Sequence, residues 1–238
     1  MEKSVEKVDK WCPGPTKNRI LGIFAKQPVP GRVKTRLCPP LTPEQAADLY
    51  QVCLQETVTR MQSLVGCELA ICYSGDKDWF AATFPGITLV PQRGSDLGAR
   101  LAQCLSDWLT AGYGAAVLIG SDAPDLPLER IEQAFSALET ADLVHGPALD
   151  GGYYLVGETT HHAQLFQNIS WSTDEVLAQS LAKATQLGLR SVLLEPWDDL
   201  DDLPALLRLV TRTPHSSTAI HITRVLNHSP DTVIDSLT

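Results

Sequence analysis

The chain alternates short apolar runs with amphipathic stretches over most of its length. The runs at Ile20–Ala25, Leu69–Tyr73, Ile87–Val90, Ala115–Ile119, Leu143–Gly146, Tyr153–Val156 and Val192–Leu194 have the length and composition of strands. Between them, apolar residues recur every three to four positions. From Pro43 to Leu64 they fall at Ala46, Leu49, Tyr50, Cys53, Leu54, Val58 and Met61, a helical stripe with Thr42 as its N-cap. Helices are also predicted over Asp78–Phe84, Leu97–Leu109, Pro127–Leu138, Thr173–Leu187 and Leu203–Val210. Pro127 suits a first helical turn, Ser172 suits an N-cap, and Gly188 suits a helix end. Ala115–Ile119 is apolar throughout, as a strand covered on both faces must be. This alternation predicts an α/β fold, a mostly parallel sheet with helices on both faces.

The same pass gives the organisation. Residues 1–18 are polar and read as a flexible leader, 19–210 as a single domain, and 211–238 as a tail with a short helix around Ala219–Leu226. No repeat or linker divides the chain. At 238 residues and 44% hydrophobic content it has ample material for a core. A net charge of −9 argues against nucleic acid or an anionic membrane as the main partner. No apolar run approaches the length of a membrane span, and the acidic and basic leader lacks the apolar segment of a secretion signal. Six cysteines without a C-x-x-C pair read as reduced thiols, so the expected compartment is the cytoplasm.

Against this acidic background, the loop after the first strand carries four cations: Lys26, Arg32, Lys34 and Arg36, with Gly31 and two prolines. Cations concentrated at the carboxyl end of a first strand suit a phosphate; the bland reading is a solvated loop. Asp122, in Gly120-Ser121-Asp122-Ala123-Pro124, follows the buried strand directly. It suits a divalent cation such as Mg²⁺, or the cap of a turn. After the last predicted strand comes Asp198-Asp199-Leu200-Asp201-Asp202. Asp202 suits the cap of the next helix. Asp199 and Asp201, as alternate residues of an extended segment, share a face and can converge on one ion.

Three further blocks have both a structural and a chemical reading. Gln92-Arg93-Gly94-Ser95-Asp96-Leu97-Gly98-Ala99-Arg100 leads into a helix; Gln92, Gly94, Gly98 and Arg100 suit a nucleotide base or phosphate, or an ordinary capped helix start. Asp150-Gly151-Gly152-Tyr153-Tyr154 suits a hairpin turn, but the paired glycines and tyrosines also suit a sugar or another polyol. Trp171 suits either a hydrophobic staple or a wall of an acceptor pocket.

Five of these blocks occur in one order: Ala25-Lys26-x-Pro-x-Pro-Gly-x-Val-Lys-Thr-Arg-Leu, Asp96-Leu97-Gly98-x-Arg100, Gly120-Ser121-Asp122-x-Pro124, Asp150-Gly151-Gly152-Tyr153-Tyr154 and Trp171-Ser172-Thr173. Together they resemble the transferase family associated with radical-enzyme and selenoprotein neighbourhoods, within the GT-A nucleotide-diphospho-sugar transferase superfamily. The resemblance runs from about Arg19 to Val210. It implies a Rossmann-like GT-A fold, a nucleotide held by Ala25, Lys26, Gly31, Lys34, Thr35 and Arg36, and Mg²⁺ or Mn²⁺ held by Asp122. The chain is also similar to bacterial guanylyltransferases, whose C-terminal Asp-x-Asp metal site maps to Asp199 and Asp201. Their usual Thr-Pro-Glu-Asp-Leu continuation is replaced here by Asp202-Leu203-Pro204-Ala205-Leu206.

The expected activity is therefore metal-dependent transfer from a nucleotide-activated donor, foremost a nucleotide sugar, to a small-molecule acceptor. Lys34 and Arg36 are expected to stabilise the leaving group, and Asp150 to orient or deprotonate the acceptor. Gly151, Gly152, Tyr153 and Trp171 are expected on the acceptor or sugar side. The alternatives are nucleotidyl transfer with release of pyrophosphate, and a non-catalytic nucleotide-binding domain.

Overall fold

The computed structural model describes residues 19–227, so the leader and residues 228–238 lie outside it. Seven strands form one sheet: β1 (Arg19–Lys26), β2 (Glu68–Ser74), β3 (Thr88–Pro91), β4 (Ala115–Gly120), β5 (Leu143–Pro147), β6 (Tyr153–Glu158) and β7 (Ser191–Leu193). Their order is β3-β2-β1-β4-β6-β5-β7. Only β6 runs against its neighbours, as the return arm of a hairpin with β5. The other pairings are parallel, so six strands deliver their carboxyl ends to one edge of the sheet. Ligands of open α/β sheets bind along that edge.

The helices are α1 (Pro43–Met61), α2 (Lys77–Thr83), α3 (Leu97–Thr110), α4 (Leu128–Ala137), α5 (Val176–Gln186), α6 (Leu203–Arg212) and α7 (Ser217–Asn227). α1 starts in a capping box, with Thr42 Oγ1 accepting from the Gln45 amide and Gln45 Oε1 accepting from the Thr42 amide. Asp202 caps α6 through the Ala205 amide.

Two helix starts differ from the sequence reading. Pro127 lies just outside α4: its ψ of 139° keeps it extended, and the helix begins at Leu128. Ser172 is not an N-cap. It has a left-handed φ of 66°, and α5 starts at Val176. Polar residues between them form a turn in which Thr173 Oγ1 donates to the Ser170 carbonyl at 2.7 Å.

The sheet carries a core on each face, as the apolar run of β4 requires. Val117 and Ile119 pack on one side with Leu54, Phe80, Ile131 and Phe135; Ala116 and Leu118 pack on the other with Leu101, Leu105 and Trp108. A third cluster joins Leu49 and Cys53 of α1 to Leu206 and Leu209 of α6 and Ile222 of α7. The α7 start is fastened to α1, where Glu56 Oε2 accepts from the Thr218 amide and hydroxyl at 2.8 and 2.6 Å. Cys38, Cys53, Cys67, Cys72 and Cys104 are all free, and the second, fourth and fifth of these are buried. No helix among the described residues is long and apolar enough to cross a membrane.

Candidate functional site

The loop after β1 folds back over the carboxyl edge of the sheet. Its short 3₁₀ turn, Thr35–Leu37, follows Lys34, which takes a left-handed φ of 49°. That conformation is uncommon for a residue other than glycine and is held by what surrounds it. The Lys34 ammonium points inward, 2.5 Å from Asp122 Oδ1 and 2.9 Å from Asp201 Oδ1. Its side chain is only 4% exposed. Burial opposes its charge, but the two carboxylates outweigh burial and hold its pKa above the usual lysine value. The sequence reading faced Lys34 toward a phosphate; its first partners are instead two aspartates from distant loops.

Backbone pairing beyond the strands brings these loops together. After β7 the chain continues beside the end of β5, with the Trp197 amide donating to the Pro147 carbonyl at 3.0 Å. The Leu200 amide then donates to the Asp122 carbonyl at 2.8 Å, which sets Asp201 beside Asp122. The same path lays Asp199 and Asp201 next to the β5–β6 turn. Carboxylate oxygens of Asp150, Asp199 and Asp201 lie within 4.8 Å of one another. Burial, then the charges of Asp201, Asp150 and Asp122, push the Asp199 carboxyl up to about 7. Burial likewise opposes ionisation of Asp201, but Lys34, with Arg36 and Lys26 beyond it, holds that carboxyl below the usual range.

Three converging carboxylates, one of them strained toward protonation, are a hard-oxygen donor set of the kind Mg²⁺ and Mn²⁺ accept. The donor set therefore fits a divalent cation, with Asp150, Asp199 and Asp201 as the residues that would hold it. Asp122 stands beside the cluster rather than within it, bridged to Asp201 through Lys34. Asp198 is engaged elsewhere, paired with both Nε and Nη2 of Arg208 at 2.6 and 3.0 Å.

A cleft of about 280 Å³ opens over this centre, lined by Phe24, Lys26, Arg32, Val33, Lys34, Thr35, Arg36, Tyr50, Ser121, Asp122 and Asp201. Gly31 lies on the loop's outer bend, with a φ of 75° that glycine adopts without strain. Tyr50 and Ser121 are members that the sequence reading passed over. The Tyr50 hydroxyl meets Ser121 Oγ at 2.7 Å and accepts from the Lys26 amide at 3.0 Å, fixing the loop's root. The signal was present: a tyrosine at an apolar helical position brings a polar tip that needs a partner.

The remaining predicted residues have structural partners of their own. Gln92 Nε2 donates to the carbonyls of Ala25 and Cys72 at 3.2 and 2.8 Å, clipping β1 to β2. Arg100 folds back to donate from Nε to the Gly94 carbonyl at 3.2 Å. Gly98 leaves room for Trp171, since a methyl group there would lie 2.5 Å from the indole. Trp171 also meets Tyr153 edge to face at 6.4 Å, and Tyr153 lies 5.0 Å from the His145 ring. Tyr154 packs into the opposite core, its hydroxyl donating to the Glu195 carbonyl at 3.2 Å. Gln92, Gly94, Gly98, Arg100, Tyr153 and Trp171 are not in the lining of the cleft. Gly151, with φ 88°, lets the β5–β6 turn press against the backbone of Asp174, and Asp150 Oδ1 accepts from the Gly152 amide at 2.9 Å.

With this geometry in place, comparison with known proteins is informative. Residues 57–173 match the family described as uncharacterised proteins conserved in bacteria, DUF2064. No functionally curated protein shows significant sequence similarity to the chain. Among solved structures, a candidate nucleotide-diphospho-sugar transferase from Desulfovibrio desulfuricans G20 is 32% identical, with a TM-score of 0.82 over 87% of this chain and 95% of the other. CMP:2-keto-3-deoxy-manno-octonic acid synthetase complexed with CTP is 12% identical, with a TM-score of 0.53 over 82% of this chain and 98% of the other. 4-Diphosphocytidyl-2C-methyl-D-erythritol synthase is 11% identical, with the same TM-score and the same coverage. These last two share the fold alone. The chain belongs to the family of nucleotide-diphospho-sugar transferase-like proteins that the Desulfovibrio desulfuricans structure represents.

Proposed function

We propose that the protein is a divalent-metal-dependent transferase that uses a nucleotide sugar as donor. The observation that carries this reading is the side-by-side arrangement of a basic cleft and a three-carboxylate cluster at the sheet's carboxyl edge. Lys26, Arg32 and Arg36 line the cleft, and among the described residues no carboxylate lies within ion-pairing distance of Lys26 or Arg32. They supply the charge that a diphosphate requires. Asp150, Asp199 and Asp201 would hold a divalent cation, which would supply Lewis-acid neutralisation of the leaving diphosphate. Lys34 holds Asp122 and Asp201 in place and offsets one of their two negative charges at the floor of the cleft.

Asp150 belongs to the carboxylate cluster and also faces outward, where it orients an acceptor hydroxyl. In the transfer, the hydroxyl oxygen bonds to the sugar's anomeric carbon and the anomeric carbon–oxygen bond to the diphosphate breaks. The nucleoside diphosphate leaves with that electron pair, and the hydroxyl proton passes to Asp150. The same cleft suits nucleotidyl transfer, in which an acceptor phosphate attacks a nucleoside triphosphate and pyrophosphate leaves. Incubation with panels of nucleotide sugars and nucleoside triphosphates, with Mg²⁺ or Mn²⁺, separates the two. Release of a nucleoside diphosphate from a nucleotide sugar is expected; release of pyrophosphate alone would replace this reading with nucleotidyl transfer.

A further inference from the structure

A second cavity of about 380 Å³ adjoins the cleft, lined by Arg36, Asp150, Ser172, Thr173, Asp174 and Asp201. Its volume falls at the small end of ligand pockets, which run about 300–1,000 Å³. Arg36 and Asp201 line both cavities and so form the partition between them. The outer wall is a braced turn rather than a loose loop. Gln179 Oε1 accepts from the Ser170 amide at 2.8 Å, and the Thr173 hydroxyl accepts from the Glu175 amide at 3.3 Å. Close packing of Gly151 on the Asp174 backbone ties this wall to the hairpin that carries Asp150.

The two cavities differ in charge. Four cations and two carboxylates, Asp122 and Asp201, line the first, whereas the second has three carboxylates and a single guanidinium, itself 3.8 Å from Asp201 Oδ2. Even with a divalent cation on Asp150, Asp199 and Asp201, the second cavity has no surplus positive charge to meet an anion, and Asp174 adds repulsion. Apart from the Arg36 guanidinium, which sits beside Asp201, its polar groups are carboxylates and hydroxyls, which bind hydroxyl and amine groups well and phosphates poorly.

We infer that this second cavity is the acceptor site and that it selects a small, hydroxyl-bearing molecule without a phosphate. The inference rests on the transferase reading above and deepens it. An acceptor lacking phosphate supplies a hydroxyl to the anomeric carbon and leaves out nucleotidyl transfer onto a phosphate group. Asp174 is thereby a specificity-determining residue that the sequence motifs did not single out.

The test uses ligand-observed saturation-transfer NMR on the Mg²⁺-loaded protein with two matched pairs of probes: glucose with glucose 6-phosphate, and glycerol with glycerol 3-phosphate. Two variants keep the test independent of folding accidents, because the Asp174 side chain is exposed and makes no hydrogen bond or ion pair among the described residues. Asp174→Trp fills the cavity and Asp174→Lys reverses its charge; circular dichroism checks that each is folded. A neutral probe is expected to bind at millimolar concentration and to lose at least tenfold in affinity in Asp174→Trp. Asp174→Lys is expected to shift the preference between paired probes at least tenfold toward the phosphorylated member. Phosphate held in the first cavity survives Asp174→Trp, so only binding that this variant removes is counted. Tighter binding of the phosphorylated members in the wild type, binding indifferent to both variants, or no binding by any probe would each overturn the inference. Absence of Mg²⁺-dependent binding of a nucleoside diphosphate, measured separately on the wild type, would instead defeat the transferase reading.

Discussion

Replacing Lys34 with methionine removes the ammonium while keeping the unbranched apolar stem, one atom shorter, and the same left-handed backbone cost. Lys34 is 4% exposed, whereas Asp122 and Asp201 are each 38% exposed. Removing one partner of a fully buried ion pair costs about 3–5 kcal/mol. Water reaches both carboxylates here and screens their repulsion, which lowers the expected loss to roughly 2–3 kcal/mol. For a chain of this length each kcal/mol moves the melting temperature by about 2–4 °C. The variant in EDTA should therefore melt roughly 4–12 °C below the wild type near neutral pH. A ligand at a hundred times its Kd stabilises by about 2.7 kcal/mol, so saturating Mg²⁺ should recover most of the loss. The pH dependence has a definite sign. Lys34 holds the Asp201 carboxyl below its unfolded value of about 3.9, so its contribution is complete above that pH and disappears as pH falls further. The gap between wild type and variant should be full at pH 7 and close toward pH 3. Calorimetric melts over that range, with and without Mg²⁺, test this. Equal melting temperatures at pH 7 would refute the buried-bridge argument, and a gap independent of pH would refute its electrostatic origin.

Two further expectations concern the cluster. Asp199 has a raised carboxyl pKa, about 7, so the stability of its protonated form is complete below about pH 3.9 and is lost as pH rises through 7. Denaturant titrations of the metal-free protein should show stability declining from pH 5 to 8, and Asp199→Asn should flatten that decline. Asp150→Asn retains the acceptor for the Gly152 amide, so the turn should persist. Turnover of donor should fall about 10²-fold or more, and Mn²⁺ affinity, read by electron paramagnetic resonance, should fall with it; a residue that only shapes the turn would change neither.

How much of this was legible in the sequence depended on the range of the interaction. β4 was readable because five successive apolar residues have few other fates, and α1 because its stripe and cap agree. The starts of α4 and α5 were misread because Pro127 is an extended cap and Ser172 is left-handed, both choices of local backbone that residue type only biases. The adjacent tyrosines looked like a ligand signal until the sheet proved to have a core on each face, which gives Tyr153 and Tyr154 separate packing partners. The basic loop, Asp122 and the Asp199–Asp201 pair were each visible as chemistry. Their convergence was not, since it depends on the chain after β7 running beside β5 and hydrogen-bonding to the Asp122 carbonyl. That path also brings Asp150, which still lines the second cavity, into the carboxylate cluster and turns Lys34 inward.

The cleft is expected to bind a nucleoside diphosphate through a divalent cation. Isothermal titration of ADP, GDP, CDP and UDP into the wild-type protein tests it most directly, in Mn²⁺ and again in EDTA, with Asp201→Asn as the control. At least one of the four is expected to bind in Mn²⁺ and to weaken at least tenfold in EDTA, about 1.4 kcal/mol, and Asp201→Asn is expected to remove most of that difference. Binding of equal strength in EDTA and Mn²⁺, or none by any of the four, would contradict it.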